Sequence, residues 1–316
     1  MDGAAAIKTT GLAKHYGKTV ALAGLDLEVP AGSITGLLGP AGAGKSTVLR
    51  LLAGLARPTA GSATVGGVSI RLGSRDVQRK VGLLVAGDPL YDWMSARELL
   101  SFAAELSGVT RTAIADRVAD VLARVGLADD ADARIGTLEL ARQRRVGLAQ
   151  ALIGAPEVLL LDEPLSELDP LTRAALTALI RGFAAEATVV LSSPEPGHLE
   201  GLCDRVVVLD RGDVIVSARV DALLGGIAGA AYLLELEREP SLAAAGMVAR
   251  LRGEPWIRAV EIEGRLVRIT VHDEARAAHE LLPSVVATGL PIASFRRERP
   301  TLAAAIADAR TTGTPS

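Results

Sequence analysis

Short apolar runs separated by glycine-rich turns alternate with helical periods over the first two thirds of the chain. Strand-like runs fall at Ala6–Thr10, Leu25–Val29, Ile34–Leu38 and Ser62–Val65. Others follow at Lys80–Val85, Glu157–Leu161, Thr188–Leu191, Arg205–Leu209 and Asp213–Ser217. Val158–Leu161 is apolar at every position, the pattern of a central parallel strand covered on both faces. Val48–Ala53 reads as helix. Between Ser95 and about Gly154 the strand pattern stops and helices take over. Ser95-Ala96-Arg97-Glu98 opens one of them with the signature of a capping box. Such alternation predicts an α/β architecture.

A second unit is expected after residue 224, beyond a glycine-rich linker at 225–229. Strand (Tyr232–Arg238), helix (Leu242–Arg252) and strands (Ile257–Glu263, Leu266–Val271) come first. Helix (Glu274–Thr288), strand (Pro291–Arg296) and helix (Thr301–Ala309) follow. The order β-α-β-β-α-β over 230–310 resembles a small α+β, ferredoxin-like split unit. The tail at 311–316 is read as disordered.

With 316 residues and 49% hydrophobic positions, the chain can build two buried cores. A net charge of −3 argues against nucleic acid as a partner, which would favour a basic surface. The single cysteine, Cys203, excludes an internal disulfide and is read as a small buried apolar residue. No apolar run approaches the ~20 residues that span a bilayer. The first residues lack the basic start and apolar core of a signal peptide. The expected place is therefore the cytoplasm, with any membrane association made through a partner.

The chemistry concentrates in Gly39-Pro40-Ala41-Gly42-Ala43-Gly44-Lys45-Ser46-Thr47, which reads G-x-x-x-x-G-K-S between a strand and a helix. Glycines let successive amides turn toward phosphate oxygens, and the new helix adds its positive end. Lys45 would reach the β- and γ-phosphates, and the Ser46 hydroxyl would hold Mg²⁺. Downstream, the run Val158–Leu161 ends in Asp162-Glu163. At the carboxyl end of a strand beside the phosphate loop, Asp162 would bind Mg²⁺ and Glu163 would orient or deprotonate the attacking water.

These residues resemble the nucleotide-binding subunit of an ABC transporter, over residues 1 to about 220. The resemblance implies a P-loop ATPase core with an antiparallel β-subdomain and a helical subdomain near 95–154. It implies ATP and Mg²⁺ as ligands and an integral-membrane permease as partner. The chain would then be peripheral on the cytoplasmic face of the membrane. Tyr16 matches the aromatic that stacks on adenine, and Asp169, in Leu168-Asp169, matches the D-loop that crosses the dimer interface. The C-terminal unit, with Arg299-Pro300-Thr301-Leu302, resembles the tail of drug-resistance-type ABC-2 exporter ATPases.

Three of that family's motifs are altered. Ala86 stands where the Q-loop glutamine is expected, and Pro194 where the switch histidine is expected. The signature L-S-G-G-Q falls on Leu138-Glu139-Leu140-Ala141-Arg142. Glu139 puts a carboxylate where a donor should face the opposite subunit's γ-phosphate. Leu140 and Ala141 add Cβ atoms where backbone approach is needed. His198 is read as a surface histidine, and Arg142–Arg145 as a solvated or packed helix face. Intact Lys45, Ser46, Asp162 and Glu163 beside altered Ala86, Glu139 and Pro194 imply an ATP-binding subunit that hydrolyses poorly alone. A heterodimer with a more complete ATPase is favoured over a homodimer; a pseudo-ATPase that binds ATP without turning it over is the alternative.

Overall fold

The computed structural model describes residues 5–71, 73–87, 90–226, 231–238, 242–298 and 301–312. They form two compact units that divide after Val220.

The first unit opens with the long hairpin β1 (Ala5–Tyr16) and β2 (Thr19–Pro30), before the short β3 (Ile34–Leu38) and α1 (Lys45–Leu52). With β4 (Ala60–Val65) and β5 (Val68–Ser69) the hairpin makes an antiparallel sheet in the order β2-β1-β4-β5. β1 and β2 run well past the runs read from sequence. Their alternate positions face solvent, so only the inward half of the pattern is apolar.

A second sheet carries the order β10-β9-β3-β8-β7-β6, built from β6 (Val81–Leu84), β7 (Val158–Leu161), β8 (Thr188–Ser193), β9 (Arg205–Asp210) and β10 (Asp213–Arg219). All pairs from β9 to β6 are parallel, and β10 closes one edge antiparallel. Every residue of β3, β7 and β8 is buried, as expected of strands covered on both faces. Leu159, Leu160 and Leu161 are fully buried, each contributing about 1.5–3 kcal/mol relative to an exposed side chain. Cys203 is buried too, and burial pushes its thiol far above the ordinary range.

The two sheets share a core through α1. Val48, Leu49, Leu51 and Leu52 pack with Leu22 and Leu25 of the first sheet and Leu37, Leu160 and Val207 of the second. Arg50, on the opposite face, is exposed. A helix not foreseen from sequence, α2 (Arg75–Lys80), precedes β6 and takes Lys80 as its last residue. It buries only Val77, too little for a hydrophobic period to show. Asp76 in its first turn and Arg79 and Lys80 in its last suit the helix dipole.

The expected helical insertion contains α3 (Ala96–Leu106), α4 (Ile114–Arg124) and α5 (Leu140–Leu152), which pack on one another. The capping box is formed: Glu98 N–H donates to Ser95 Oγ at 3.2 Å, and Ser95 N–H donates to Glu98 Oε2 at 2.8 Å. α6 (Pro170–Phe183) begins after Asp169, whose carboxylate accepts the amides of Leu171 and Thr172.

α7 (Val220–Gly226) starts at the division, and the second unit continues with β11 (Ala231–Leu236), α8 (Leu242–Arg252), β12 (Ile257–Glu263) and β13 (Leu266–Val271). It ends with α9 (Glu274–Val286), β14 (Ile292–Glu298) and α10 (Leu302–Thr312). The sheet order β12-β13-β11-β14 is antiparallel throughout. Tyr232, Leu234 and Leu236 alternate inward with Val267, Ile269 and Val271, and Leu251, Leu281 and Val285 of α8 and α9 complete the core. Two expectations need correction. Gly225 and Gly226 end a helix rather than start a linker, and Thr311 and Thr312 are helical rather than disordered. The rest of both predicted segments lies outside the described residues. Among the described residues no helix is long and apolar enough to cross a membrane.

Candidate nucleotide-binding site

In a parallel sheet, ligands gather at the carboxyl ends of the strands. Here β3 runs into the loop Gly39–Gly44 and then α1, while β7, two strands away, ends in Asp162 and Glu163. The strand between them is β8.

Two loop glycines are required by geometry. A Cβ on Gly44, at φ 105°, would lie 2.4 Å from the Ala21 carbonyl oxygen. One on Gly39, at φ 156°, would lie 2.2 Å from that of Leu209. The loop is thus pressed against two neighbouring backbones and opens α1 at Lys45, whose first-turn amides lack intrahelical partners and suit an anion. Lys45 is only 4% exposed. Its Nζ donates to the Gly39 and Pro40 carbonyls at 2.8 and 3.0 Å and lies 3.5 Å from Glu163 Oε1. Ser46 is half-buried on the first turn and Thr47 is buried behind it. Pro40, Ala41 and Gly42 are on the outer, more exposed side of the loop or near it, and Ala43 is buried in the shared core.

Asp162 is buried, and its Oδ1 accepts a 2.6 Å hydrogen bond from Ser192 Oγ. Glu163 has φ 48°, a conformation that costs an L-residue about 1–2 kcal/mol. Its amide is held there by a 2.8 Å bond to the same Ser192 oxygen. Ser193, next in β8, accepts the Gly39 amide on its carbonyl at 3.3 Å. Neither serine was singled out from sequence. The available signal was two polar residues ending a run, Thr188–Leu191, that is otherwise apolar after its first position.

A hydroxyl (Ser46) and a buried carboxylate (Asp162) beside a lysine-lined loop form the all-oxygen donor set that Mg²⁺ takes with phosphate. The residues fit the ion, and Lys45 and the loop amides fit the phosphates. Tyr16, at the tip of the β1–β2 hairpin, is half exposed, with Lys14 Nζ 4.7 Å from its ring centre. Asp169 caps its own helix, and the bonds from Thr172 and Leu171 hold its carboxyl below the usual range.

The positions read as altered fall at three places in the first unit. Ala86 is in a turn after β6. Glu139 occupies the N-cap of α5 but makes no capping hydrogen bond, and Leu140 exposes 40% of its surface. Arg142 pairs with Asp130, and Arg145 donates to the Val125 carbonyl, so that basic run is packed within the helical region. Pro194 follows β8. His198 corrects the surface reading: it is 4% exposed, with Nδ1 3.2 Å from Ser193 Oγ. Its Nε2 lies 3.2 Å from Glu195 Oε2 without hydrogen-bond alignment. Burial first, then the Arg173 charge, lowers its pKa, while the Glu195 and Glu163 carboxylates pull the other way. The imidazole is therefore a neutral packing group at pH 7, bound to the strand end. It was missed because a lone histidine between Gly197 and Leu199 carries no burial signal.

A phosphate loop on a central parallel strand, with an acidic strand end beside it, defines a P-loop nucleotide-binding protein. Residues 22–166 match the family model described as ABC transporter. The chain belongs to the ABC transporter ATP-binding proteins. It is 38% identical over 66% of its length to an uncharacterized ABC transporter ATP-binding protein of Nostoc, of which it covers 62%. An aliphatic sulfonates import ATP-binding protein of Mesorhizobium japonicum is 36% identical, over 75% of this chain and 88% of that one. A daunorubicin resistance ATP-binding protein of Streptomyces coeruleorubidus is 33% identical, over 94% of this chain and 93% of its own. Among solved structures, cbiO1 from Clostridium perfringens, described as part of the ABC transporter complex cbiONQ, superposes with TM-score 0.64. It is 25% identical and covers 70% of this chain and 91% of its own.

Proposed function

We propose that the chain is the ATP-binding subunit of an ABC exporter, working beside a second, more complete ATPase subunit on an integral-membrane permease. It would be held at the cytoplasmic face of the membrane by that permease. The reading as an exporter rests on the likeness to the daunorubicin resistance protein, whose alignment of 300 residues must extend into the second unit.

In this reading Lys45 and the first-turn amides of α1 bind the β- and γ-phosphates. Ser46 and Asp162 hold Mg²⁺, which when bound neutralises charge on the phosphate oxygens. Glu163 Oε1, already 3.5 Å from Lys45 Nζ, orients the water that attacks the γ-phosphate. Tyr16 stacks on the base, and Asp169 marks the edge that meets the other subunit.

The observation that carries the unequal pairing is Glu139 at the exposed start of α5. In a two-subunit sandwich this helix start would face the neighbour's nucleotide. At about 5 Å and an effective dielectric of about 20, one carboxylate and one phosphate charge repel by about 3 kcal/mol. Leu140 and Ala141 add side chains at the same approach. Each copy of this chain can bind its own nucleotide but opposes the one bound across the interface. A partner with an intact signature would close on the ATP held here.

Beside Ala86, β6 and α5 line a cleft of about 890 Å³ that includes Leu83, Tyr91, Gln143 and Gly147. Trp93, 71% exposed, stands edge-to-face with Tyr91 at 5.2 Å, an apolar rim suited to the permease. A second reading, an ATP-binding module with no turnover at all, is favoured by Pro194 together with His198, which is spent on Ser193.

Purification of the tagged chain from detergent-solubilised membranes of cells that produce it tests the assembly. A polytopic membrane protein and a second ATP-binding subunit carrying L-S-G-G-Q are expected to co-purify. Recovery of a homodimer with a permease and no second ATPase would contradict the unequal pairing.

A further inference from the structure

β8 separates the strand that carries the phosphate loop from the strand that carries the two acids. Its sequence is apolar or β-branched up to Leu191, and a valine or leucine would suit the next position equally well. Instead Ser192, 1% exposed, has its hydroxyl deep in the sheet. A buried hydroxyl is costly unless its hydrogen-bonding capacity is used.

Here it is used in both directions. An ionised carboxylate can only accept, so the single hydroxyl proton goes to Asp162 Oδ1 at 2.6 Å. A lone pair is left for the Glu163 amide, which donates at 2.8 Å. One atom therefore fixes the side chain of the first acid and the left-handed backbone of the second. The adjacent Ser193 carbonyl takes the Gly39 amide, so the same strand end is tied to the phosphate loop.

We infer that Ser192 is the positioning residue for the magnesium-binding acid. By anchoring Asp162 Oδ1 it sets where that carboxylate meets a phosphate-bound Mg²⁺, and by holding the Glu163 amide it keeps the second carboxylate on the loop side. Ser192 itself touches neither metal nor phosphate. The role rests on the MgATP reading above and goes beyond it in naming what orients the acid.

Calorimetric titration of the full chain with ATP, once in excess Mg²⁺ and once in EDTA, separates the two. The unmodified protein is expected to bind ATP more tightly with Mg²⁺. Ser192→Val should lose about tenfold of that gain, as for a hydrogen bond to a charged group, with affinity in EDTA within about twofold. Ser192→Thr has nearly the same volume but keeps the hydroxyl, and should retain the gain. Ser192→Ala, which adds no bulk, repeats the comparison should the valine variant not fold. Equal magnesium gains with and without the hydroxyl would overturn the assignment. So would an equal loss in EDTA, the mark of a purely structural serine. No magnesium gain in the unmodified protein would contradict the nucleotide reading itself, whatever the variants do.

Discussion

Lys45→Ala is expected to weaken ATP binding about a hundredfold, close to 3 kcal/mol, by removing two charge-assisted contacts to phosphate oxygens. The size follows from where the ammonium lies. It is almost fully buried, on a loop whose Gly39 and Pro40 carbonyls hold it at 2.8 and 3.0 Å. Its position is therefore fixed before any ligand arrives, and little entropy is lost when a phosphate takes over those bonds. Surface lysines lack this constraint; Lys8, paired at 3.9 Å with Glu28 on the first sheet, is 63% exposed. Lys8→Ala should leave ATP affinity unchanged and serves as the control. Titration calorimetry checks both, with thermal unfolding to show that the loop carbonyls left by Lys45 do not unseat α1. Unchanged affinity in Lys45→Ala would remove the phosphate cradle from the account.

Under the proposed pairing, replacing Glu139 by Ser, Leu140 and Ala141 by Gly, and Pro194 by His should raise steady-state ATP hydrolysis by the isolated chain about a hundredfold. Preorganised donors aimed at a developing phosphoryl charge are each worth about 10²–10³ in turnover. The Glu139 change would also remove the proposed repulsion of about 3 kcal/mol. The start of α5 can accept the change. Glu139 makes no capping bond that serine would lose, and Ser is among the preferred N-cap residues. Two glycines in the first turn cost about 1 kcal/mol each in helix propensity, and the buried Val146, Leu148, Ala149 and Leu152 hold the rest of the helix. Pro194 is the harder position, because Ser193 already binds His198 and the new ring must find its own place. Enzyme-coupled phosphate release measures the result, and a concentration dependence of the rate would show that two chains are needed.

The parts of this molecule that could be read from sequence are those written in consecutive residues. The phosphate loop needs its glycines within one turn, and Gly39 and Gly44 are the two that backbone contacts make irreplaceable. The capping box at Ser95 and the all-apolar β7 are local for the same reason. The C-terminal strands alternate cleanly because one face packs on α8 and α9. What escaped was set by contacts between distant segments. Ser192 meets Asp162 across 30 positions of chain, only because β8 lies beside β7 in the sheet. His198 carries no hint in its neighbours that a short turn folds it inward onto Ser193. α2 is stabilised by charges and by one buried valine, so no apolar period announces it.

The most direct measurement is the steady-state ATPase rate of the purified chain alone, compared with that of Glu163→Gln. Under the proposed pairing, ATP is expected to bind saturably while turnover stays at background, with no further fall when Glu163 is replaced. Brisk turnover that Glu163→Gln abolishes would show that Glu139 does not prevent two copies of this chain from closing on ATP, and would contradict the account.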